Sequence, residues 1–457
     1  MSTFTWLRSF IGVGIFFGAI SSCAFAASKP TFEQEIAVIA ERVSLAPRAV
    51  QPALQRLQAA HAPLSTQRQA LVYEQLSSAK WHSKDFQSAL EYGSLLEALG
   101  KENNDKSIEC LGALYQVYAN WKMGKIALAY ALVDHAARFP LNTLSAYARV
   151  RTLLTTAQKA AEEGYHEEAL LAAEQAVQLA RASKDSQVLF HSTYTQAAVA
   201  LAVGNHAVAM KAMNQLLDQA AQSAYLERRI RAKGVEVAVT SYAGMTQRAN
   251  LAMAERLRLV RELQLDEALT GTLVEYADLQ LKSKRYTEAA ALSEEALRQS
   301  AIFADIRLSN SAHFSHAIAN IYSGKIEAGK AEFERLFKSN LEPTQLLSFL
   351  PEYAAALTQA GDADASVQAA AVRRKLEFEE TLRSAKVAEK ASSQLDLLAR
   401  ENQLKALAAP NAHVLPKVWL MVAGSLVAGL IALLYFYRRS RFGTRVFGPT
   451  RQAIEIP

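Results

Sequence analysis

From about residue 65 to 368, apolar side chains return at i, i+3 and i+4, the spacing of helices with one buried face. Residues 151–180 show the unit. An apolar-periodic stretch runs to Ala161, Gly164 interrupts it, and a second amphipathic stretch starts at His166. Strand-like alternation is absent, and Ala, Leu, Glu, Gln, Lys and Arg dominate. The pattern predicts an all-α chain of helix–turn–helix hairpins. It recurs every forty residues: Gly124, Gly164, Gly204, Gly244 and Gly324 share one slot, which Lys284 fills once and Lys84 extends backwards. Five residues further on stand Ala89, Ala129, Ala169, Ala209, Ala249, Ala289 and Gly329. The glycine permits a left-handed turn after the first helix, and the small residue lets the second helix approach closely. A fixed period of this size predicts a solenoid, whose units bury their apolar faces only against neighbours.

Other columns keep the register. Val117, Ala157, Ala197, Val237, Ala277 and Ala317 lie near the middle of each first helix. Trp81, Trp121, Leu201, Leu281 and Ile321 lie in its last turn, and Phe86, Ile126, His166, His206, Tyr286 and Ile326 follow two places after the slot. Packing is the reading for that last column. The motifs Gly164-Tyr165-His166-Glu167-Glu168-Ala169-Leu170 and Arg285-Tyr286-Thr287-Glu288-Ala289 resemble the tetratricopeptide repeat, whose superhelix is thereby implied over residues 65–368. Two departures are a period of forty rather than the family's usual thirty-four, and the loss of most closing prolines. Gly361-Asp362-Ala363 repeats the turn three residues early, as a capping unit would. Residues 27–64 read as an irregular helix pair containing Pro47 and Pro52.

Both ends suggest a membrane address. Residues 1–26 read as a signal peptide with cleavage after Ala24-Phe25-Ala26, while Ile20-Ser21-Ser22-Cys23 leaves a lipidated Cys23 as the alternative. Val418 to Tyr437 holds no charge and is long enough for a transmembrane helix. Four arginines, Arg438, Arg439, Arg441 and Arg445, open the basic tail 438–457. The positive-inside rule then places the tail in the cytoplasm and the repeats in the periplasm of a bacterial inner membrane. Between signal and span, 43 bases balance 43 acids, so the basic isoelectric point belongs to the membrane flanks and nucleic acid is not an expected partner. With Cys23 removed, Cys110 has no disulfide partner and reads as a buried, inert thiol.

Residues 369–409 hold no glycine and read as one long helix. Ala388, Ala391, Leu395, Leu398 and Asn402 follow a heptad pattern, so a coiled-coil homodimer through 369–408 and the span stands beside a single connecting helix. No catalytic constellation, cofactor site or metal set emerges. His313 and His316 lie three apart without a carboxylate or cysteine at ligand spacing. What remains is a groove. Carrying the repeat family's concave positions over by offset gives Tyr118, Lys122, Arg151, Gln158, Glu162, His191, Tyr194, Arg231, Tyr242, Asp278, Lys282 and Tyr322. Tyrosines with both signs of charge suit a protein or peptide ligand.

The order signal, repeats, charged helix, span is similar to the sensory half of bacterial membrane diguanylate cyclases, and residues 393–404 resemble the helix before the span there. The catalytic Gly-Gly-Asp-Glu-Phe motif of that family is not in this sequence. The expectation is a non-enzymatic, membrane-anchored scaffold or sensor for a protein or peptide. A truncated or partner-dependent signalling receptor is the second reading, and an enzyme hidden in the groove the third.

Overall fold

The computed structural model describes residues 30–381 apart from 304, 305, 339, 340, 342 and 380. Signal 1–26, Cys23, span 418–437, tail 438–457 and the expected helix 369–409 beyond residue 381 lie outside the described residues. Among those described, no helix is long and apolar enough to cross a membrane, and there is no strand.

The helices are α1 Phe32–Arg42, α2 Pro47–Ala60, α3 Thr66–His82, α4 Phe86–Glu102, α5 Lys106–Lys122, α6 Ile126–Ala137, α7 Ala146–Glu163, α8 His166–Ser183, α9 Ser186–Ala202, α10 His206–Gln222, α11 Leu226–Tyr242, α12 Thr246–Glu262, α13 Asp266–Lys282, α14 Tyr286–Phe303, α15 Ile306–Tyr322, α16 Ile326–Lys338 and α17 Pro343–Gln359. A further helix covers 363–379. Odd and even helices from α3 pair as successive hairpins, and first helices also pack on the next first helix from α3 to α11 and from α13 to α17.

The turn chemistry is the one the repeat requires. Gly124, Gly164, Gly204, Gly244, Gly324 and Gly361 all have positive φ, and Lys84 and Lys284 take the same conformation without being glycine. At each slot the amide after the turn residue reaches back to a carbonyl five residues earlier, as Tyr165 N does to Ala160 O at 2.8 Å and Arg285 N to Gln280 O at 2.9 Å. This closes the open carbonyls of the helix end. Three turns between hairpins reuse the left-handed residue: Asn104, Lys184 and Gln264 have φ of 53°, 59° and 50°. Sequence reading missed these turns because none carries a glycine. Between α6 and α7 a 3-10 turn, Leu141–Thr143, stands in their place.

The small column is fully buried. Ala89, Ala129, Ala169, Ala209, Ala249 and Ala289 are 0% exposed, and a Cβ on Gly329 would lie 2.5 Å from Ile321 Cγ1 and 2.6 Å from Ala317 O. Helix axes therefore meet at the distance a methyl group or less allows. Cys110 is buried as expected, with Sγ 3.5 Å from Thr152 Oγ1, and burial raises its thiol pKa.

One feature of the architecture lies outside the sequence expectation. The N-terminal pair does more than start the stack. Arg42 Nε donates to Glu227 Oε1 at 2.8 Å, Glu41 takes Arg228 and Arg231, and the Glu267 carboxylate accepts the amides of Arg48 and Ala49 at 3.1 Å. Leu45 and Ala46 join an apolar cluster with Ile230, Leu257 and Leu273. The superhelix thus closes on its own beginning across roughly 190 residues of chain, a contact that no nearest-neighbour pattern encodes.

Two glycine substitutions separate turn strain from close packing. A Cβ on Gly112 would enter the Glu97 backbone, whereas one on Gly124 meets nothing within 4 Å but sits at φ +74°. Gly112→Ala is expected to cost about 2 kcal/mol or more through overpacking, and Gly124→Ala about 1 kcal/mol through left-handed strain. Thermal melts of both variants check the order, and equal midpoints would contradict it.

Candidate inner strip and exposed edge

The inward positions of successive first helices line up at forty-residue steps. Arg151, His191 and Arg231, from α7, α9 and α11, make one ladder. Arg151 is 4% exposed, its guanidinium lies over the rings of Tyr115 and Tyr118, and Nη1 is 2.6 Å from His191 Nε2. His191 therefore accepts through Nε2. Burial, then the charges of Arg151 and Arg231, hold its pKa well below the ordinary imidazole range, so it is neutral. Arg231 lies 4.9 Å over the Phe190 ring and pairs with Glu41. Tyr194 is half-buried beside them, and its phenol acts on the Arg231 charge.

Of the twelve positions taken from the repeat pattern, Tyr118 and Arg151 are buried rather than displayed. The Tyr118 hydroxyl lies 2.9 Å from Thr155 Oγ1. Gln158, His191, Tyr194, Arg231, Asp278 and Tyr322 are partly covered; Lys122, Glu162, Tyr242 and Lys282 are exposed. The division has a cause. Tyr118, Arg151, His191, Tyr194 and Arg231 gather on the inner strip where the chain closes on Glu41. Lys122, Glu162, Tyr242, Lys282 and Tyr322 occupy one column at the end of each first helix, forty or eighty residues apart, along the turn edge.

Along that edge aromatic rings meet between units. Tyr242 lies 4.5 Å from the His206 ring, and Tyr322 stacks on Tyr286 at 4.7 Å. His166 and His206 were expected to pack inside. Both are exposed and line an open cleft of about 500 Å³ with Leu170, Val203 and Asn205. As the first residue of its helix, each lies beyond the contact between helix axes. Near the C-terminal end Asp278 accepts Ser315 Oγ at 2.6 Å, and burial raises the Asp278 pKa. Glu352 is raised too, by burial and then by the Asp278 charge.

His313 and His316, the one histidine pair with metal-like spacing, both address a carboxylate that sequence spacing could not show. Glu332 on α16 takes His313 Nδ1 at 2.9 Å and His316 Nδ1 at 2.6 Å. Burial alone would raise Glu332, but these hydrogen bonds outweigh it and hold the carboxyl at about 2. Among the described residues no group of three ligating side chains is disposed to hold a metal ion.

Sequence reading also missed Glu41, Glu74, Tyr115, Tyr147 and Arg228, which complete the strip. Glu74 is 3% exposed on α3, and burial raises its pKa to about 7 against an opposing pull from Arg151. Burial likewise pushes Tyr115 to about 12 and raises Tyr147. Charge and aromatic content hinted at none of this: Tyr115, Tyr147 and Arg228 sit off the forty-residue columns of the candidate positions, and Glu74, on the Tyr194 column, lies three units ahead of it.

Glu74 gives a pH signature. Between the usual 4.5 and about 7 the folded chain keeps a proton that the unfolded chain has lost, so wild-type stability falls as pH rises through that window and stays lower above it. Glu74→Gln removes the fall. The variant should gain up to about 3 kcal/mol over wild type at pH 8 and converge with it near pH 4. Melting curves at the two pH values check this, and an unchanged gap between them would refute it.

No protein-family model matches the chain, and no curated protein sequence does. Among solved structures, similarity is found to the Signal Transduction ATPase with Numerous Domains protein with a tetratricopeptide repeat sensor from Pyrococcus horikoshii, with 15% identity, TM-score 0.49, and 72% of this chain and 56% of that one covered. The chain thus spans little more than half of that protein. A Rap protein complexed with Competence and Sporulation Factor is similar at 13% identity and TM-score 0.49, over 76% of this chain and 99% of that one. Aspartyl phosphate phosphatase F from Bacillus subtilis follows at 11% identity and TM-score 0.48, over 80% and 96%. These likenesses concern the tetratricopeptide-like helical-repeat architecture alone.

Proposed function

We propose that this chain is a non-enzymatic helical-repeat scaffold that captures a protein or peptide partner on its turn edge. The observation that carries the reading is the edge column Lys122, Glu162, Tyr242, Lys282 and Tyr322, in which all but the partly covered Tyr322 are exposed. It presents rings and both signs of charge at successive units, with Tyr242 and Tyr322 already held against His206 and Tyr286. Rigid, partly covered aromatics of this kind lose little freedom on binding and anchor protein interfaces. The open cleft at His166 and His206 adjoins the column.

In the fuller form of the proposal, residues 1–26 direct export, 418–437 anchor the chain, and the repeats work outside the cell membrane. Support for this comes from the apolar run without charge and the arginines that follow it. The same order of segments keeps a signalling receptor, akin to cyclase sensors, as the second reading.

Photo-crosslinking in cells tests capture. A benzophenone side chain replacing Tyr242 or Tyr322 should give a discrete crosslinked species, and one replacing Leu171, exposed on α8, should not. Tyr242→Ala combined with Tyr322→Ala should weaken retention of that species on the order of tenfold or more. Equal crosslinking at all three positions would remove the proposal's basis.

A further inference from the structure

The seam between the N-terminal helix pair and the middle of the solenoid is built around one acid. Glu41 is 1% exposed. Arg228 contacts its Oε1 from Nε at 2.8 Å and from Nη2 at 2.7 Å, and Arg231 holds its Oε2. Each guanidinium has a second contact besides Glu41, a hydrogen bond and rings for Arg228 and one ring for Arg231. Arg228 reaches Ser186 Oγ at 3.3 Å and lies 5.4 Å from the Tyr225 ring, and both arginines lie over Phe190. Arg228 would therefore keep its orientation if the acid left, with Arg231 beside it on the Phe190 ring, an arrangement that suits a preorganised anion site.

The surroundings favour a carboxylate there. The strip carries Arg151, Arg228 and Arg231, while His191 between them is neutral. Of the other buried acids nearby, Glu74 is only partly ionised near neutral pH, and Glu227 is held by Arg42. Glu41 is thus the carboxylate in direct contact with both Arg228 and Arg231. Leaving buried guanidiniums without a counter-charge is costly, so the seam opens readily only when a second anion replaces the first. His191 and Arg231 retain partial exposure, so the strip faces accessible space.

We propose that Glu41 is a displaceable latch: its carboxylate occupies the place on Arg228 and Arg231 that an acidic segment of the partner takes, so that binding an acidic peptide and releasing the N-terminal helix pair are one event. This rests on the partner-binding reading and names the partner's chemistry. The remaining seam contacts, Arg42 with Glu227 and the Arg48 and Ala49 amides with Glu267, then report the opening.

The full chain and a fluorescent hexaglutamate peptide provide the test, with hexalysine as control. Glu41→Gln should bind hexaglutamate at least tenfold more tightly than wild type, because the latched fraction no longer competes. Adding Arg231→Gln should abolish the gain. In wild type, hexaglutamate should speed hydrogen exchange at the amides of Arg48 and Ala49, a readout that stands even where Glu41→Gln folds poorly. Equal affinity of wild type and Glu41→Gln, a gain that survives Arg231→Gln, or unchanged exchange at those amides would overturn the latch. Each of these failures leaves the crosslinks at Tyr242 and Tyr322 as they were, so it is separable from failure of the broader reading.

Discussion

The close approach of the two helices in each hairpin governs everything else in this molecule. It depends on a backbone that turns left-handed in a single residue and on a side chain no larger than methyl five residues later. The alanines at this place are wholly buried, and at Gly329 even a methyl would collide with Ala317 O. With every hairpin set by the same two constraints, successive first helices fall into one rotation. Positions forty residues apart then share a strip or an edge.

That rotation explains why the inner face is polar and still closed. A wall of solvent-facing first helices would be expected to offer a groove. Here the curvature brings α11 back against α1, and charges that would otherwise line an open surface meet across the gap. Tyr118 and Arg151 are enclosed among rings and hydroxyls. Lys122 and Tyr242, in a column at the helix ends, stay outside. A residue's place within its unit decided which of these fates it met.

The hairpins, their period and the identity of the turn residues were legible because each is a local demand: left-handed backbone at Gly164, no room beyond a methyl at Ala169. Lys284 was legible as a member of the slot only through its neighbours' register, since a lysine at φ 58° announces nothing by itself. Asn104, Lys184 and Gln264 escaped notice for the same reason. The candidate site was half legible. Offsets found the ladder Arg151, His191, Arg231 and the edge column, since both follow the period. They could not find Glu41 or Glu267, whose partners lie about two hundred residues away and are chosen by superhelical pitch. Pitch is a sum of small rotations, and no single residue carries it. Glu332 is a smaller case, since only the pairing of α15 with α16 sets it between His313 and His316.

A stack whose units touch only their neighbours stretches like an open spring, each turn yielding on its own. The bridge from Glu41 to Arg228 and Arg231 ties one coil to the next. Pulling on the two ends would first load that tie, and the intervening hairpins would extend only after it gave way. The chain should therefore show a stiff response followed by a sudden lengthening, the mechanical behaviour of a clasped bracelet.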